Sequence, residues 1–376
     1  MTSGVDKWFK IAVNIKYLDI STVLQIGQSF RWVYNGETNE YISSINLDHD
    51  KTFDIVKLKQ DDKFMYYTSV NNNNNKQLLH TWVRSYFLLD IDRKQLFEHW
   101  KIKDPKHFSN LSHIEPLCSS CCILQQDPWE TLLSFICSSN NNISRITKMC
   151  HTLTELAGDE IPNCDQLSPL YTFPNSGQII KVLTESILRE NGFGYRAKYI
   201  IETAKKIVDL KLKDGMMELS DSQYLKWKIS GSPYLEAREF ALAFSGVGPK
   251  VADCFLLMGM GYHDVVPVDV HVNRIAQRDY KITSGSSNNK KTQIAKLKLE
   301  YTKYPTTRRK INFDLDLIRL FFRDLWGAYS GWAQAIFFAK EVGSTSGIVD
   351  GSVSKRKLLI KTEDDNSAVT KRIKVK

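Results

Sequence analysis

The chain has 376 residues, 42% of them hydrophobic and 11% aromatic, enough for a sizeable core and for two domains of ordinary size. A formal charge of +9 points to an anionic partner, nucleic acid first, with a merely solvated basic surface as the plain alternative. No apolar run reaches membrane-spanning length, the opening MTSGVDKWFK lacks the apolar stretch of a signal peptide, and seven scattered cysteines fit a reducing compartment.

Residues 1–122 are rich in β-branched and aromatic types that alternate with polar ones, in TVLQIGQSFRWVY (22–34), FDIVKLK (53–59) and KFMYYTSV (63–70). This period of two predicts a small antiparallel sheet with a helix or two. Gly27 inside the first of these segments predicts a β-bulge. The tract Asn71–Asn75 predicts a loop between two elements. Cys118, Cys121 and Cys122 cluster, but no matching Cys or His pair lies nearby, so no metal site is expected.

From residue 123 to 341 the period becomes helical. Asp127-Pro128-Trp129-Glu130 reads as an N-cap, a first-turn proline and a capping-box acid. Ile146, Met149, Cys150, Leu153, Leu156 and Ala157 recur at helical spacing. Further helices are predicted over 178–190, 196–211, 221–230, 234–245, 249–260, 270–279, 312–326 and 330–341. The segment 281–311 mixes a polar loop with a short basic helix, and residues 342–376 read as a disordered basic tail.

The stretch FSGVGPKVADC, Phe244 to Cys254, carries a lysine just after a Gly-Val-Gly turn. It is not a nucleotide phosphate loop, because Val251 stands where Ser or Thr is required and the glycine spacing is wrong. It fits a helix–hairpin–helix, with Gly246 and Gly248 turning backbone N–H groups outward at a helix start to hold a DNA phosphate. A ligand-free helical corner is the bland reading of the same pattern. Lys250 would sit in the first turn, where the helix dipole opposes an ammonium and favours a free amine. Asp269, between an apolar stretch and the next helix, is an N-cap or a carboxylate that steadies positive charge on a sugar. Together the two residues define a nucleophile and a stabilising charge beside a phosphate-binding turn.

This constellation resembles the helix–hairpin–helix superfamily of DNA glycosylases. GQSFRW (27–32), ICSSNNNISRIT (136–147), GFGYRAKYI (192–200), GVGPKVADC (246–254), VPVDVHV (266–272) and GWAQAIFF (331–338) extend the likeness to 8-oxoguanine DNA glycosylases of the eukaryotic type, over about residues 8–341. The resemblance implies an α+β fold, with a TBP-like N-terminal antiparallel sheet followed by an all-helical glycosylase body. Some relatives hold an iron–sulfur cluster near the C-terminus. Here the last cysteine is Cys254, which excludes that cluster, and no cofactor is expected.

The resemblance further implies a bifunctional glycosylase and lyase that excises 8-oxoguanine, and formamidopyrimidines with it, opposite cytosine. Lys250 would attack C1′ and Asp269 would stabilise the transition state. Gly27 would offer a carbonyl to the N7 proton that 8-oxoguanine has and guanine lacks. Gln334 would read the Watson–Crick edge, with Phe338 and Cys254 on the two faces of the base. Asn140 and Tyr195 would fill the vacated stack, and Arg145 and Arg196 would bind the opposite cytosine. His271 would approach a backbone phosphate. Each has a plainer reading: Asn140 as a helix C-cap, both arginines as solvated charges, Phe338 as core, His271 as a structural histidine. Pro249, before the lysine, departs from the commoner pattern but suits a helix start.

A non-catalytic reader of damaged DNA and a glycosylase for another damaged base are the rival readings. The expected partner is double-stranded DNA and the expected state a monomer. Basic clusters at Lys355–Lys357 and Lys371–Lys376 suggest the nucleus, with the mitochondrion as the second compartment.

Overall fold

The computed structural model describes residues 7–47, 53–71, 75–109, 122–162, 169–282, 288–303 and 313–346. The N-terminal part is a five-stranded antiparallel sheet of β1 (Phe9–Ala12), β2 (Val33–Asn35), β3 (Glu40–Asn46), β4 (Phe53–Gln60) and β5 (Phe64–Ser69), in the order β1-β5-β4-β3-β2. Its register aligns Phe9, Tyr67, Leu58, Tyr41 and Tyr34 in one cross-strand row. The first four are buried, so alternation puts this face on the core and Lys10, Tyr66 and Lys59 on the other.

The segment 22–34 departs from its predicted strand. Residues Ile20–Val23 form a short helix, α1, capped by Asp19, and only Val33–Asn35 pair in the sheet. Gly27 is therefore not a bulge in a ladder: it lies in an irregular strap with φ +84°. The strap is fixed by Gln28, whose Nε2 donates to the Cys122 carbonyl at 2.7 Å while its Oε1 accepts from Leu124 N at 3.0 Å. Hydrogen bonding to residues far along the chain, which no local pattern reports, overrides the alternation.

Three helices follow the sheet: α2 (Lys76–Tyr86), α3 (Arg93–Lys103) and α4 (Pro105–Phe108). The ends of the asparagine tract are anchored, Asn75 capping α2 at Leu78 N and Asn71 Nδ2 donating to the Pro162 carbonyl at 2.9 Å; residues 72–74 lie outside the described residues. Cys118 and Cys121 also lie outside them, and Cys122 is buried.

The helical part starts as predicted, with Asp127 capping α5 (Pro128–Cys137) and accepting from Glu130 N at 2.9 Å. It continues with α6 (Ile143–Ala157), a two-residue pairing of β6 (Glu160–Ile161) with β7 (Leu170–Tyr171), α7 (Ser176–Val182), α8 (Glu185–Glu190), α9 (Arg196–Asp214) and α10 (Asp221–Ile229). One helix predicted over 178–190 is thus two: Leu183 and Thr184 turn extended, and Thr184 caps α8 at Ile187 N. Then come α11 (Tyr234–Leu242), α12 (Pro249–Met258), α13 (Val270–Arg278), α14 (Asn288–Lys303), α15 (Phe313–Trp326) and, after a 3-10 turn, α16 (Ser330–Ser346). The basic helix α14 is a full 16 residues rather than a short piece. The tail beyond 346 lies outside the described residues, and no helix among them is long and apolar enough to cross a membrane.

One apolar cluster runs from the sheet through the helical body, so both parts share a core. Arg31 pins them together with a bidentate bond to Glu130 on α5, at 2.8 and 2.5 Å, and a further bond to Ser44 on β3 at 2.5 Å.

Candidate active site

The turn between α11 and α12 is built as the glycines required. Gly246 adopts φ +77°, and a Cβ there would lie 2.4 Å from the Tyr199 ring of α9, so only glycine fits. Val247 is buried and pins the turn. Gly248 is the N-cap of α12 in extended conformation and makes no side-chain cap, which leaves the first amides of the helix without that partner. Open space surrounds the position of a Gly248 Cβ, so an anion can approach that end of α12 closely.

Lys250 follows in the first turn, half-buried. Its Nζ lies 3.4 Å from Ser138 Oγ, whose own proton goes to the Phe135 carbonyl at 2.7 Å, and 4.9 Å from the centre of the Phe135 ring. Both residues belong to the C-terminal end of α5, against which α12 packs. They flank the lysine without having been singled out for that role, although Ser138 falls in the block ICSSNNNISRIT.

Cys254, one turn beyond Lys250, is buried. Burial pushes its thiol up to about 11, the Lys250 charge draws it down, and Asp269 pushes it up again. Lys250 and Cys254, four residues apart on α12, share one face of that helix, and the charge of Asp269 also acts on the thiol. Asp269 caps α13, its Oδ1 accepting from His271 N and Val272 N, both at 2.9 Å. The capping reading is therefore correct and fixes the carboxylate in place; it leaves Oδ2 outside those two bonds.

Gln334 and Phe338 stand four residues apart on α16, hence on one face. Gln334 is buried, and Phe338, partly buried, meets the edge of the His271 ring at 5.8 Å and 89°. The His271 Nδ1 is buried without a hydrogen-bond partner, a donor or acceptor left for something else. Gly27, on its strap, faces Ile143 at the start of α6: a Cβ would come within 3.1 Å of that side chain.

A second group gathers at the loop between α5 and α6. Asn140 is exposed in the left-handed region, φ +47°; the C-cap of α5 is Ser138, so Asn140 is not that cap. Tyr195, 43% exposed, donates its hydroxyl to the Ser139 carbonyl at 2.9 Å. Arg196 is not a solvated charge: it is buried, and its Nη2 donates to the carbonyls of Ser139 and Asn140. Arg145 is exposed and bridges to the Gly192 carbonyl at 3.0 Å. These four bind two loops into one surface beside the hairpin, for Tyr195 also meets Tyr199, ring centres 5.7 Å apart.

A cavity of about 740 Å³ lies elsewhere, between the sheet and the helices, lined among others by Trp32, Trp82, Trp129 and Asp127. Lys250, Cys254 and Asp269 do not line it, and within its lining Arg31 pairs with Glu130 and Lys211 with Asp221. Chemically the promising site is the lysine cluster. It joins an amine, a fixed carboxylate and a helix end whose first amides lack a side-chain cap, parts that suit the opening of a glycosidic bond in a nucleic acid.

Residues 10–132 match the family described as 8-oxoguanine DNA glycosylase, N-terminal domain, and residues 133–300 match the HhH-GPD superfamily of base excision DNA repair proteins. The chain is 42% identical over 373 residues to an N-glycosylase/DNA lyase of Saccharomyces cerevisiae, covering 98% of this chain and 96% of that one. It is 29% identical to the N-glycosylase/DNA lyase OGG1 of Arabidopsis thaliana, over 90% of this chain and 82% of the relative. Its fold matches that of the Clostridium acetobutylicum 8-oxoguanine glycosylase/lyase, solved with double-stranded DNA containing cytosine opposite 8-oxoguanine. The TM-score is 0.64 and the identity 25%, with 88% of this chain and 93% of that one covered.

Proposed function

This chain belongs to the N-glycosylase/DNA lyase family of base excision repair, and from that we infer that it removes 8-oxoguanine, and formamidopyrimidines with it, from DNA opposite cytosine. A stacked base is out of reach, so the nucleotide must leave the duplex and enter the slot beside Cys254, Gln334 and Phe338. Lys250 Nζ forms a bond to C1′ through its lone pair while the base departs with the electrons of the glycosidic bond. The positive charge that develops on the sugar meets the Asp269 carboxylate, held by two backbone N–H groups. Ring opening gives an iminium between Lys250 and C1′. That iminium acidifies C2′–H, and loss of this proton expels the 3′ phosphate, cutting the strand. Water then releases the lysine.

Selectivity follows from proton placement. 8-Oxoguanine carries N7–H where guanine has a bare acceptor, so the Gly27 carbonyl accepts from the lesion and repels the normal base. Gln334 reads the Watson–Crick edge, while Phe338 and the Cys254 side stack on the two faces. Asn140 and Tyr195 occupy the gap left in the duplex, and Arg145 and Arg196 supply donors to the acceptor edge of cytosine. The hairpin at Gly246 and Gly248 holds a backbone phosphate, and His271 approaches another. No step calls for a cofactor.

The observation that carries this reading is Lys250 in the first turn of α12, one turn before Cys254, with Asp269 fixed by two backbone N–H groups at the start of α13. Borohydride should trap a covalent adduct with an 8-oxoguanine·C duplex, and Lys250→Gln should abolish trapping while keeping duplex binding. Trapping by the folded Lys250→Gln variant, or none by the native chain, overturns it. Repeating the assay with A, G and T opposite the lesion tests the preference for cytosine. The basic clusters at Lys355–Lys357 and Lys371–Lys376 support a nuclear location; unchanged nuclear accumulation after deleting residues 350–376 counts against it.

A further inference from the structure

Asp253 stands between Lys250 and Cys254 on α12, but it faces away from the base slot into a chain of buried charges. Its Oδ1 accepts the Tyr234 hydroxyl at 2.8 Å and lies 3.3 Å from Arg238 Nε, both groups on α11. Arg238 Nη2 reaches Asp316 of α15 at 2.7 Å. Arg319, one turn along α15, lies 3.6 Å from the same Asp316 oxygen and 3.3 Å from Glu300 of α14, with its guanidinium 4.5 Å over the Tyr234 ring. The signs alternate, Asp253, Arg238, Asp316, Arg319, Glu300, across four helices. Asp253, Arg238, Asp316 and Arg319 are each at most 2% exposed.

Such a chain is poorly explained by stability. Taking charges out of water is costly, and well-packed apolar residues in their place are often as stable or more so. The satisfaction here is also incomplete: Arg238 Nε and Nη1 and Arg319 Nε make no hydrogen bond. What directional ion pairs supply, and an apolar contact does not, is a fixed register between the elements that carry them. The elements joined here are those that must agree during catalysis. α12 carries the amine; α15 leads through the 3-10 turn into α16, which carries Gln334 and Phe338. Trp326 at the end of α15 stacks on Phe337 of α16, ring centres 5.3 Å apart at 7°, so a shift of α15 is passed on to the base slot.

We propose that this buried chain of charges is a positioning device, with Asp253 and Asp316 as positioning residues that set Lys250 against the base held by α16. The proposal rests on Lys250 being the attacking amine. Displacement by an ångström at reacting atoms can cost about 100-fold in rate, whereas the DNA grip of the hairpin and of the Asn140 surface lies outside the chain and should survive.

The test uses the full chain with Asp253→Asn, Asp316→Asn and the milder Tyr234→Phe, each assayed at a temperature where its melting curve shows it folded. Single-turnover excision of 8-oxoguanine and the rate of borohydride trapping should fall together, by about 10- to 100-fold for the two carboxamides and severalfold for Tyr234→Phe. Affinity for a duplex holding a non-cleavable abasic analogue should stay within about threefold, since the phosphate contacts are untouched. Asp316→Glu should recover part of the rate. The double variant should be little worse than either single one, because both cut the same chain. Excision within about threefold of the native rate in folded Asp316→Asn and Tyr234→Phe, or losses that multiply in the double variant, overturns the proposal. Native protein that fails to trap at all points instead to an error in the role of Lys250.

Discussion

A side chain at Gly246 would place its Cβ 2.4 Å from Tyr199 Cδ2, so the hairpin glycine and the α9 tyrosine occupy adjoining space that neither can yield. Tyr199 in turn meets Tyr195, and the hairpin turn is thereby built directly onto the surface proposed to enter the duplex. Gly246→Ala should be costly twice over, by the clash and by φ +77°, for about 2–4 kcal/mol of stability. It should also weaken binding to damaged and undamaged duplex alike, measured by titration at fixed salt. Adding Tyr199→Ala should restore stability in part, because it removes the Cδ2 and Cγ contacts at 2.4 and 2.7 Å and leaves the backbone strain.

The sequence disclosed more of the site than of the sheet. The places of Lys250 and Asp269 were legible because helix ends are marked well by local pattern: a Gly-Pro start for one and an N-cap for the other. The strap at Gly27 was not, since its shape is decided by Gln28 bonding to residues 94 and 96 positions away. The plainer reading of Arg196, a solvated charge, fails for a similar reason: its carbonyl partners lie 56 and 57 positions back, in a loop that only the fold brings near. The chain of charges around Asp253 was equally silent, because charged residues on amphipathic helices are ordinarily assigned to solvent.

Stability should depend on pH through His151. The ring lies partly buried near the Arg31–Glu130 pair; burial first, and then Arg31, lower it to about 4 from the usual 6.5. In the fold it therefore stays neutral while the unfolded chain takes up a proton on acidification. The contribution is fully present above about pH 6.5 and is lost as pH falls towards 4, by about 1–3 kcal/mol. Urea unfolding at pH 7 and at pH 5 should show a smaller difference for His151→Gln than for the native chain. Equal differences in the two proteins would assign the acid sensitivity to other groups.

Tyr195 and Arg196 are neighbours that should fail in different ways. The Tyr195 ring is 43% exposed and gives up one hydroxyl bond on truncation, so Tyr195→Ala should cost about 1 kcal/mol or less of stability. Its effect should appear in excision from duplex, and less in excision from a substrate with a mismatched, loosened lesion. Arg196→Ala removes a buried guanidinium that holds the Ser139 and Asn140 carbonyls, leaving acceptors without their donor, and should cost about 2–4 kcal/mol. Thermal melts paired with single-turnover excision on both substrates separate the two cases.

Cys254 is a second candidate nucleophile, and the state of its thiol argues against it. Cys254 is one helical turn from Lys250, but burial pushes its thiol up to about 11, so at neutral pH the thiolate that could attack C1′ is scarce. Cys254→Ser should therefore keep the borohydride-trapped adduct, with at most a modest loss from altered packing against the base. Alkylation by iodoacetamide should be slow in the native state at pH 7 and rise only as pH approaches 11, or on unfolding. Mass spectrometry of the trapped peptide reads the outcome directly: the sugar should be found on Lys250, and its appearance on Cys254 would transfer the role of nucleophile to the thiol.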